Sequence, residues 1–426
     1  MKEDGKISQT VATAVALGAI IGAGIFVLSG TAIALAGADA LIAFIIVGIV
    51  AIIIALEFGE LGSIVPYAKG AAYSYIYKAI GSEPAFITGI IQYFSYATAI
   101  SVIALGFGSY LASILGLSVS FYAIPFAIGL IFVLTLVNAF GIRSAANTDS
   151  ILVFIKIIVL LVFIIFSLWF ALNHGSFNLS NFSVLPSQGG LGPLFAASIA
   201  IFFAYSGFQI IATFTSKVRG GSKSAAKAIL YSTIISMVLY VLVVVALILL
   251  VPASGYTISA DPLSFALQHS SAPGWLVILI DIGALIATTS ASLAMMLSSS
   301  RMLYQISADR LLPKIFRKYD KKKDVAINAV IVSAIIAVVM LFSGNIYEIA
   351  AISNFGLLFS YLMASLALVH FRTKKVKSEF KLPFYPYLTI IAILAILVFI
   401  IGLPQSALII GLVLIISLIA VYYLIR

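Results

Sequence analysis

The stretch GAIIGAGIF, residues 18–26, decides how the rest of the chain is read. Gly18, Gly22 and Gly24 put three glycines within seven residues, in the middle of an apolar run covering about residues 10–35. As a helix, that run is long enough to cross the roughly 30 Å of hydrocarbon in a bilayer. Glycines inside such a helix either let a neighbouring helix come close or mark an interruption. An interruption strips backbone N–H and C=O groups of their helical partners. At membrane depth those groups must be satisfied within the protein or in a protein-lined cavity.

Further apolar runs continue to the end of the chain, at about 40–65, 84–114, 120–141, 147–172, 192–215, 225–252, 274–303, 324–343, 347–371, 385–402 and 406–425. They predict an all-α integral membrane protein with twelve transmembrane helices. Over the 426 residues, 63% are hydrophobic and 9% charged, against roughly 25% charged in soluble domains. No soluble core could use so much apolar surface. The absence of cysteine rules out disulfides and thiolate metal sites.

The basic residues orient the chain, because cytoplasmic loops are enriched in Lys and Arg. With an even number of spans both termini share one side, and 23 of the 24 Lys and Arg residues fall there. They are Lys2, Lys6, Lys69, Lys78, Arg143, the run Lys217 to Lys227, the loop Arg301 to Lys323, Arg372 to Lys381, and Arg426. The opposite loops, 173–190 and 252–273, contain none. Both termini are therefore assigned to the cytoplasm of a cell facing its plasma membrane. Orientation and anionic lipid account for the net charge of +10 without any nucleic acid. A second reading of the N-terminus, as a secretory signal cleaved near Ala34-Leu35-Ala36, is opposed by the length of the run and its glycine-rich middle.

A second stretch answers the first. FFAYSGFQ, residues 202–209, places Ser206-Gly207 near the middle of the sixth run. Transporters are often built from two inverted halves whose corresponding helices break at mid-membrane, and spans 1 and 6 would each open a five-helix unit. The halves run over about 8–172 and 190–372, with spans 11 and 12 appended at about 385–425, all forming one transmembrane domain over 1–426. A zwitterion suits such breaks. Half-helix N-termini attract a carboxylate, and half-helix C-termini attract an ammonium.

These residues resemble a family. ALGAIIGAGIF (16–26), EFGELGSIVPYAKGAAYSYIYKAIG (57–81), FFAYSGFQ and SSSRMLYQISADRLLPKIF (298–316) are similar, in matching order over about residues 8–372, to motifs of amino-acid permeases of the amino acid–polyamine–organocation superfamily. The resemblance implies a leucine-transporter-type fold. It places a substrate carboxylate on the backbone of Gly22, Ala23, Gly24 and Ile25. It places the ammonium near Phe203, Ala204, Ser206 and Gly207, with Phe203 as an aromatic gate. Phe202 and Phe203 are also two of thirty phenylalanines, most of which must simply face lipid or core. The chain departs from the family pattern at Gln209, where relatives often carry an acid, at TSKVRGGSKSAAKAIL (215–230), and at the AKGAA of the first inner loop.

Span 5 reads ILVFIKIIVLLVFIIF (151–166), with Lys156 among fifteen apolar residues. A charge at mid-bilayer costs roughly 2.5 to 3.5 kcal/mol on insertion scales, so it is usually turned into the bundle and paired. Lys156 lies about ten residues into the span, roughly 15 Å at helical rise, so snorkelling to the inner surface is the competing account. In some proton-coupled relatives, a lysine at the corresponding place resembles a built-in cation that fills the site sodium takes in sodium-coupled members. By that resemblance its partners would be the Gly18 carbonyl and the hydroxyls of Thr289 and Ser290 in ATTSAS (287–292). Protonated, it would hold spans 1, 5 and 8 together; an ammonium stripped of water holds its proton less tightly, so protonation can act as a switch.

Other acids have less defined roles. Asp281 falls a turn or two inside the outer end of span 8, either exposed to water or lining an outer vestibule. Glu57 and Glu60, near the inner end of span 2, either pair with loop lysines or cap an inner gate. Asn178-Leu-Ser180 and Asn181-Phe-Ser183 match glycosylation acceptors on the outer side. His174, His269 and His370 are too scattered for a metal site or catalytic triad, and no nucleotide-binding glycine loop is present, so neither a cofactor, an enzyme nor ATP-driven pumping is expected. The expectation is a proton-coupled amino-acid symporter. An exchanger and a non-transporting amino-acid sensor stand as alternatives; which amino acid is carried and the oligomeric state are left open.

Overall fold

The computed structural model describes residues 6–66, 68, 70, 72–140, 145–173, 179–182, 190–209, 215–270, 272–320 and 325–425. Lys2, Lys69, Arg143, Lys321 to Lys323 and Arg426 of the charge argument, together with His174, Asn178 and Ser183, lie outside them.

The chain enters α1 (Gln9–Ile20) through Ser8, whose hydroxyl oxygen accepts the Val11 N–H at 3.2 Å, an N-cap that satisfies one of the helix's unpaired donors. After a gap at residues 21–23, α2 (Gly24–Ala36) continues the span. Gly37, at φ +61°, then turns the chain through a 3-10 turn into α3 (Ala40–Ile64). There follow α4 (Ala72–Ala79), α5 (Ser82–Ile114), α6 (Val119–Phe140), α7 (Ala145–Asn173) and α8 (Leu191–Phe202). The remainder comprises α9 (Gly221–Leu250), α10 (Pro262–His269), α11 (Gly274–Ala308), α12 (Ile327–Met340), α13 (Ile346–Thr373), α14 (Tyr387–Ile401) and α15 (Gln405–Ile425).

Among the described residues, eight helical stretches are long and apolar enough to cross a membrane on their own, the first running through α2 and α3 together. α1, the stretch 191–205, α12 and α14 are apolar but shorter. The protein is thus an all-helical, multi-pass membrane protein. α4 and α10 lie in segments that hydropathy treats as loop, since eight residues are too few to form an apolar run. Asp261-Pro262 starts α10, with proline in the first turn where its missing N–H costs nothing.

α5 runs through the centre, packed on α6, α11 and α13. Its join to α13 is hydrogen-bonded in both directions: Ser95 Oγ donates to the Ser353 carbonyl at 2.6 Å, and Ser353 Oγ to the Ser95 carbonyl at 3.0 Å. In a membrane the hydrophobic effect does not hold helix against helix, so close backbone contact and such polar stitches do. The perimeter is apolar and exposed, with Phe121 and Phe140 on α6, Ile165 on α7, Ile401 on α14 and Ile416 on α15 facing outward. α1 and α2 are inside the bundle, with Ile20, Ile21, Ala23, Ile25 and Phe26 all buried.

Candidate functional site

The first break begins where α1 runs out. Ile21, at φ −72° and ψ 64°, has inverse γ-turn geometry, and the Gly22 N–H accordingly donates to the Ile20 carbonyl at 2.7 Å. α2 restarts at Gly24 with no side-chain cap. The first N–H groups of a helix have no partner within it, so this end offers open donors and the positive end of a helix dipole.

The second break follows α8. The chain tightens into a 3-10 turn at Phe203–Tyr205, and Ser206 then extends at φ −69°, ψ 156°. The Phe203 carbonyl accepts from both the Ser206 N–H (3.1 Å) and the Ser206 hydroxyl (2.7 Å). Gly207 has φ +119°, in the left-handed region where a side chain is strained. Its N–H donates to Gln209 Oε1 at 3.0 Å, and the Tyr361 hydroxyl donates to the same oxygen at 3.0 Å.

The two breaks touch backbone to backbone. A Cβ built on Gly24 would sit 2.4 Å from Ala204 Cα, and one built on Gly207 would sit 2.4 Å from the Ala19 carbonyl oxygen. Between them lies a cavity with about 770 Å³ of empty space between its walls, part of it open to solvent. Gly18, Gly22, Ala23, Gly24, Lys156, Phe203, Ala204, Ser206, Gly207 and Ser290 all line it. Ile25 and Thr289 do not: Ile25 is buried behind the break, and Thr289 sits half-buried on α11 beside Ser290. Of the two adjacent phenylalanines, Phe203 faces the cavity, whereas Phe202 packs on Tyr361 and Phe399 at centroid distances of 6.1 and 5.7 Å.

Lys156 is 2% exposed, and its Nζ donates to Ser290 Oγ at 3.1 Å. The ammonium is turned into the bundle and does not snorkel. One turn earlier on α7, Val153 fills the space that a side chain on Gly18 would need, its Cγ2 lying 2.0 Å from a Cβ built there. α1, α7 and α11 therefore meet around this lysine. Asp281 stays apart from the cavity, 1% exposed, with Oδ2 accepting from Ser264 Oγ (3.1 Å) and Ser113 Oγ (3.3 Å). In the loop before α10, burial pushes the Asp261 carboxyl above the ordinary carboxylate range.

Several residues at the site carry no signal in the sequence. The hydroxyl of Tyr240, on α9, donates to the Ile20 carbonyl at 2.7 Å and the Ala204 carbonyl at 3.0 Å, joining the ends of both breaks. Tyr96, Ile103 and Met295 complete the walls. Tyr240→Phe removes the one hydroxyl proton that the Ile20 and Ala204 carbonyls share, of which Ile20 keeps the Gly22 N–H, at a cost of about 1 kcal/mol or more. The variant is expected to melt at lower temperature and to bind substrate more weakly. Unchanged melting and binding would show that the tyrosine does not hold the breaks together.

A pair of interrupted helices around a cavity partly open to solvent, within a multi-pass bundle, is the arrangement of a carrier for a small molecule. The amino acid permease family profile matches residues 11–425, and the chain belongs to that family. It is 29% identical over 410 residues to the branched-chain amino acid permease BcaP of Bacillus subtilis, covering 92% of this chain and 86% of that one. It is 28% identical over 411 residues to the methylthioribose transporter of the same bacterium, covering 92% and 87%. With the vacuolar cationic amino acid transporter 2 of Arabidopsis thaliana it shares 29% identity over 377 residues, covering 84% of this chain and 58% of that one. The fold is shared with a crystallised mutant of the manganese transporter of Eremococcus coleocola, with a TM-score of 0.62 at 15% identity, over 98% and 94% of the two chains.

Proposed function

We propose that the protein is a secondary transporter that carries neutral amino acids with apolar side chains across the plasma membrane by alternating access, driven by protons through Lys156. The observation that carries this reading is that both helix breaks and the Lys156–Ser290 pair line one cavity. The α2 N-terminus at Ala23 and Gly24 receives the substrate carboxylate, and the lone pair of the Ala204 carbonyl left beside the Tyr240 hydroxyl receives its ammonium, the Phe203 carbonyl being occupied by Ser206. Gly207 acts through its conformation, since its N–H is already taken by Gln209.

The walls favour an uncharged side chain. Ile103, Ala291, Ala294 and Met295 are apolar, none of the lining residues is Asp or Glu, and the one ionisable cation among them is Lys156. A substrate bearing a second positive charge would meet a like charge and no counter-ion. This supports the branched-chain permease as the better guide than the cationic transporters. In the same reading the chain has twelve spans, as repeats over about 8–172 and 190–372 and a pair at about 385–425, with both termini in the cytoplasm. Each interrupted span then counts once and α12 and α14 cross despite their shortness.

Uptake of labelled leucine and arginine into proteoliposomes, with an inward proton gradient and no sodium, tests this. Leucine accumulates and arginine does not. Uptake that requires preloaded internal substrate would make the protein an exchanger, and binding without flux would make it a sensor.

A further inference from the structure

Glu57, on α3, is completely buried and is not among the residues that line the cavity. Its Oε2 lies 2.5 Å from Ser365 Oγ on α13, while its Oε1 has no hydrogen-bond partner among the described residues. Its charged neighbour is another carboxylate, Glu60, one turn further along. The cation nearby is already committed: Arg372 Nε lies 2.7 Å from Glu60 Oε1, its Nη2 donates to Glu60 Oε2 at 2.8 Å, and its guanidinium lies 4.7 Å from the centre of the Tyr385 ring. From α14 the facing group is the Thr389 hydroxyl, and from α13 it is Ser365; the other titratable groups on α13 are Tyr347, Glu348, Tyr361, whose hydroxyl is held by Gln209, His370 and Arg372.

An ionised carboxylate here would be out of water and, among the described residues, unpaired by any cation, with only the Ser365 and Thr389 hydroxyls beside it, an arrangement that costs several kcal/mol. A neutral carboxyl avoids that cost. The proton count agrees. Ser365 Oγ is also 3.1 Å from the Tyr361 carbonyl, the usual acceptor for a serine hydroxyl four residues on in a helix. One hydroxyl proton cannot fully serve both acceptors. With the proton on Glu57, the carboxyl donates to Ser365 Oγ and the serine donates to Tyr361.

We propose that Glu57 is a second proton-binding group, holding its proton while α3, α13 and α14 are packed together and giving it to water when they part. It sits between the cavity and the face bearing the basic loops. Tyr361 touches Gln209 beside the second break, Ser365 and Glu57 lie one turn on, and Glu60 with Arg372 a turn beyond that. Its use in coupling rests on the transport reading above, whereas its protonation rests on its surroundings alone.

Infrared spectroscopy of the reconstituted full chain tests the protonation. At neutral pH the native protein shows a carbonyl-stretch band of a protonated carboxyl that is missing from Glu57→Gln and displaced in Ser365→Ala. Identical spectra for native and Glu57→Gln, or a band that Ser365→Ala leaves unmoved, would overturn the assignment. Glutamine can still accept from and donate to Ser365, and the melting temperature of the variant reports whether packing survives. In transport, Glu57→Gln flattens the dependence of accumulation on the pH inside the liposome; an unaltered profile would remove Glu57 from coupling. Should native uptake ignore the proton gradient while the band is present, the coupling reading fails and the protonated glutamate stands.

Discussion

Lys156→Ala protein, reconstituted with an inward proton gradient, fills the liposome to the external substrate concentration and no further. A gradient of about one pH unit is worth about 1.4 kcal/mol per proton and so supports roughly tenfold accumulation at one proton per substrate; the variant loses that factor. Lys156 is buried where α1, α7 and α11 meet, with Ser290 as a hydroxyl partner and Gly18 pressed against α7 one turn away. A charge in such a place is expensive unless its partners are in contact. Its protonation state is therefore tied to whether the three helices are together. Substitution removes the tie and leaves the cavity, so exchange of substrate across the membrane persists when net accumulation does not. Lys156→Met, which keeps the length of the stem without the ammonium, separates charge from packing and should behave like the alanine variant. Normal accumulation in both variants would place the coupling proton elsewhere, with Glu57 the next group to examine.

The fold was largely legible because hydropathy is local. The runs at 40–65, 84–114 and 274–303 became Ala40–Ile64, Ser82–Ile114 and Gly274–Ala308, and glycine spacing marked the interruption between α1 and α2. The second break was legible only by pairing it with the first, because Ser206-Gly207 alone looks like any small pair in a membrane helix. Lys156 was conspicuous since nothing nearby is charged, and the hydroxyl-rich run on α11 supplied its partner; that the partner is Ser290, with Thr289 off the cavity, depends on helix rotation that no sequence pattern fixes to one residue. Tyr240 and Tyr361 were illegible for a different reason. They are two among 20 tyrosines, and what singles them out is contact with residues 220 and 152 positions away. Glu57 and Glu60 looked alike as a pair near one helix end, yet one finds Arg372 and the other only hydroxyls. One turn of helix separates a satisfied ion pair from a buried acid.

Gly207→Ala should weaken substrate binding by about two orders of magnitude, more than any side-chain change in the cavity walls, and Gly24→Ala by about one. In both cases the new methyl group meets backbone, which cannot rotate away as a side chain can. On Gly24 it falls 2.4 Å from Ala204 Cα, and on Gly207 it falls 2.4 Å from the Ala19 oxygen and 2.7 Å from the Ala19 carbonyl carbon. Overpacking of this kind costs about 1–3 kcal/mol, and at Gly207 the positive φ adds about 1–3 kcal/mol of strain for alanine. About 1.4 kcal/mol corresponds to tenfold in affinity, so overpacking alone is worth about tenfold at Gly24, and overpacking with strain roughly a hundredfold at Gly207. The relief open to the protein is to move the two breaks apart, which pulls the α2 N-terminus away from the Ala204 carbonyl and spoils the one geometry in which a zwitterion meets both. Gly129→Ala is the control, since nothing lies within 4 Å of a Cβ built there and binding should be unchanged. Equilibrium binding of labelled leucine to the purified variants decides the matter. If Gly24→Ala and Gly207→Ala bind as tightly as Gly129→Ala, substrate recognition does not depend on the contact between the two breaks, and the pocket must be sought along α5 and α11 instead.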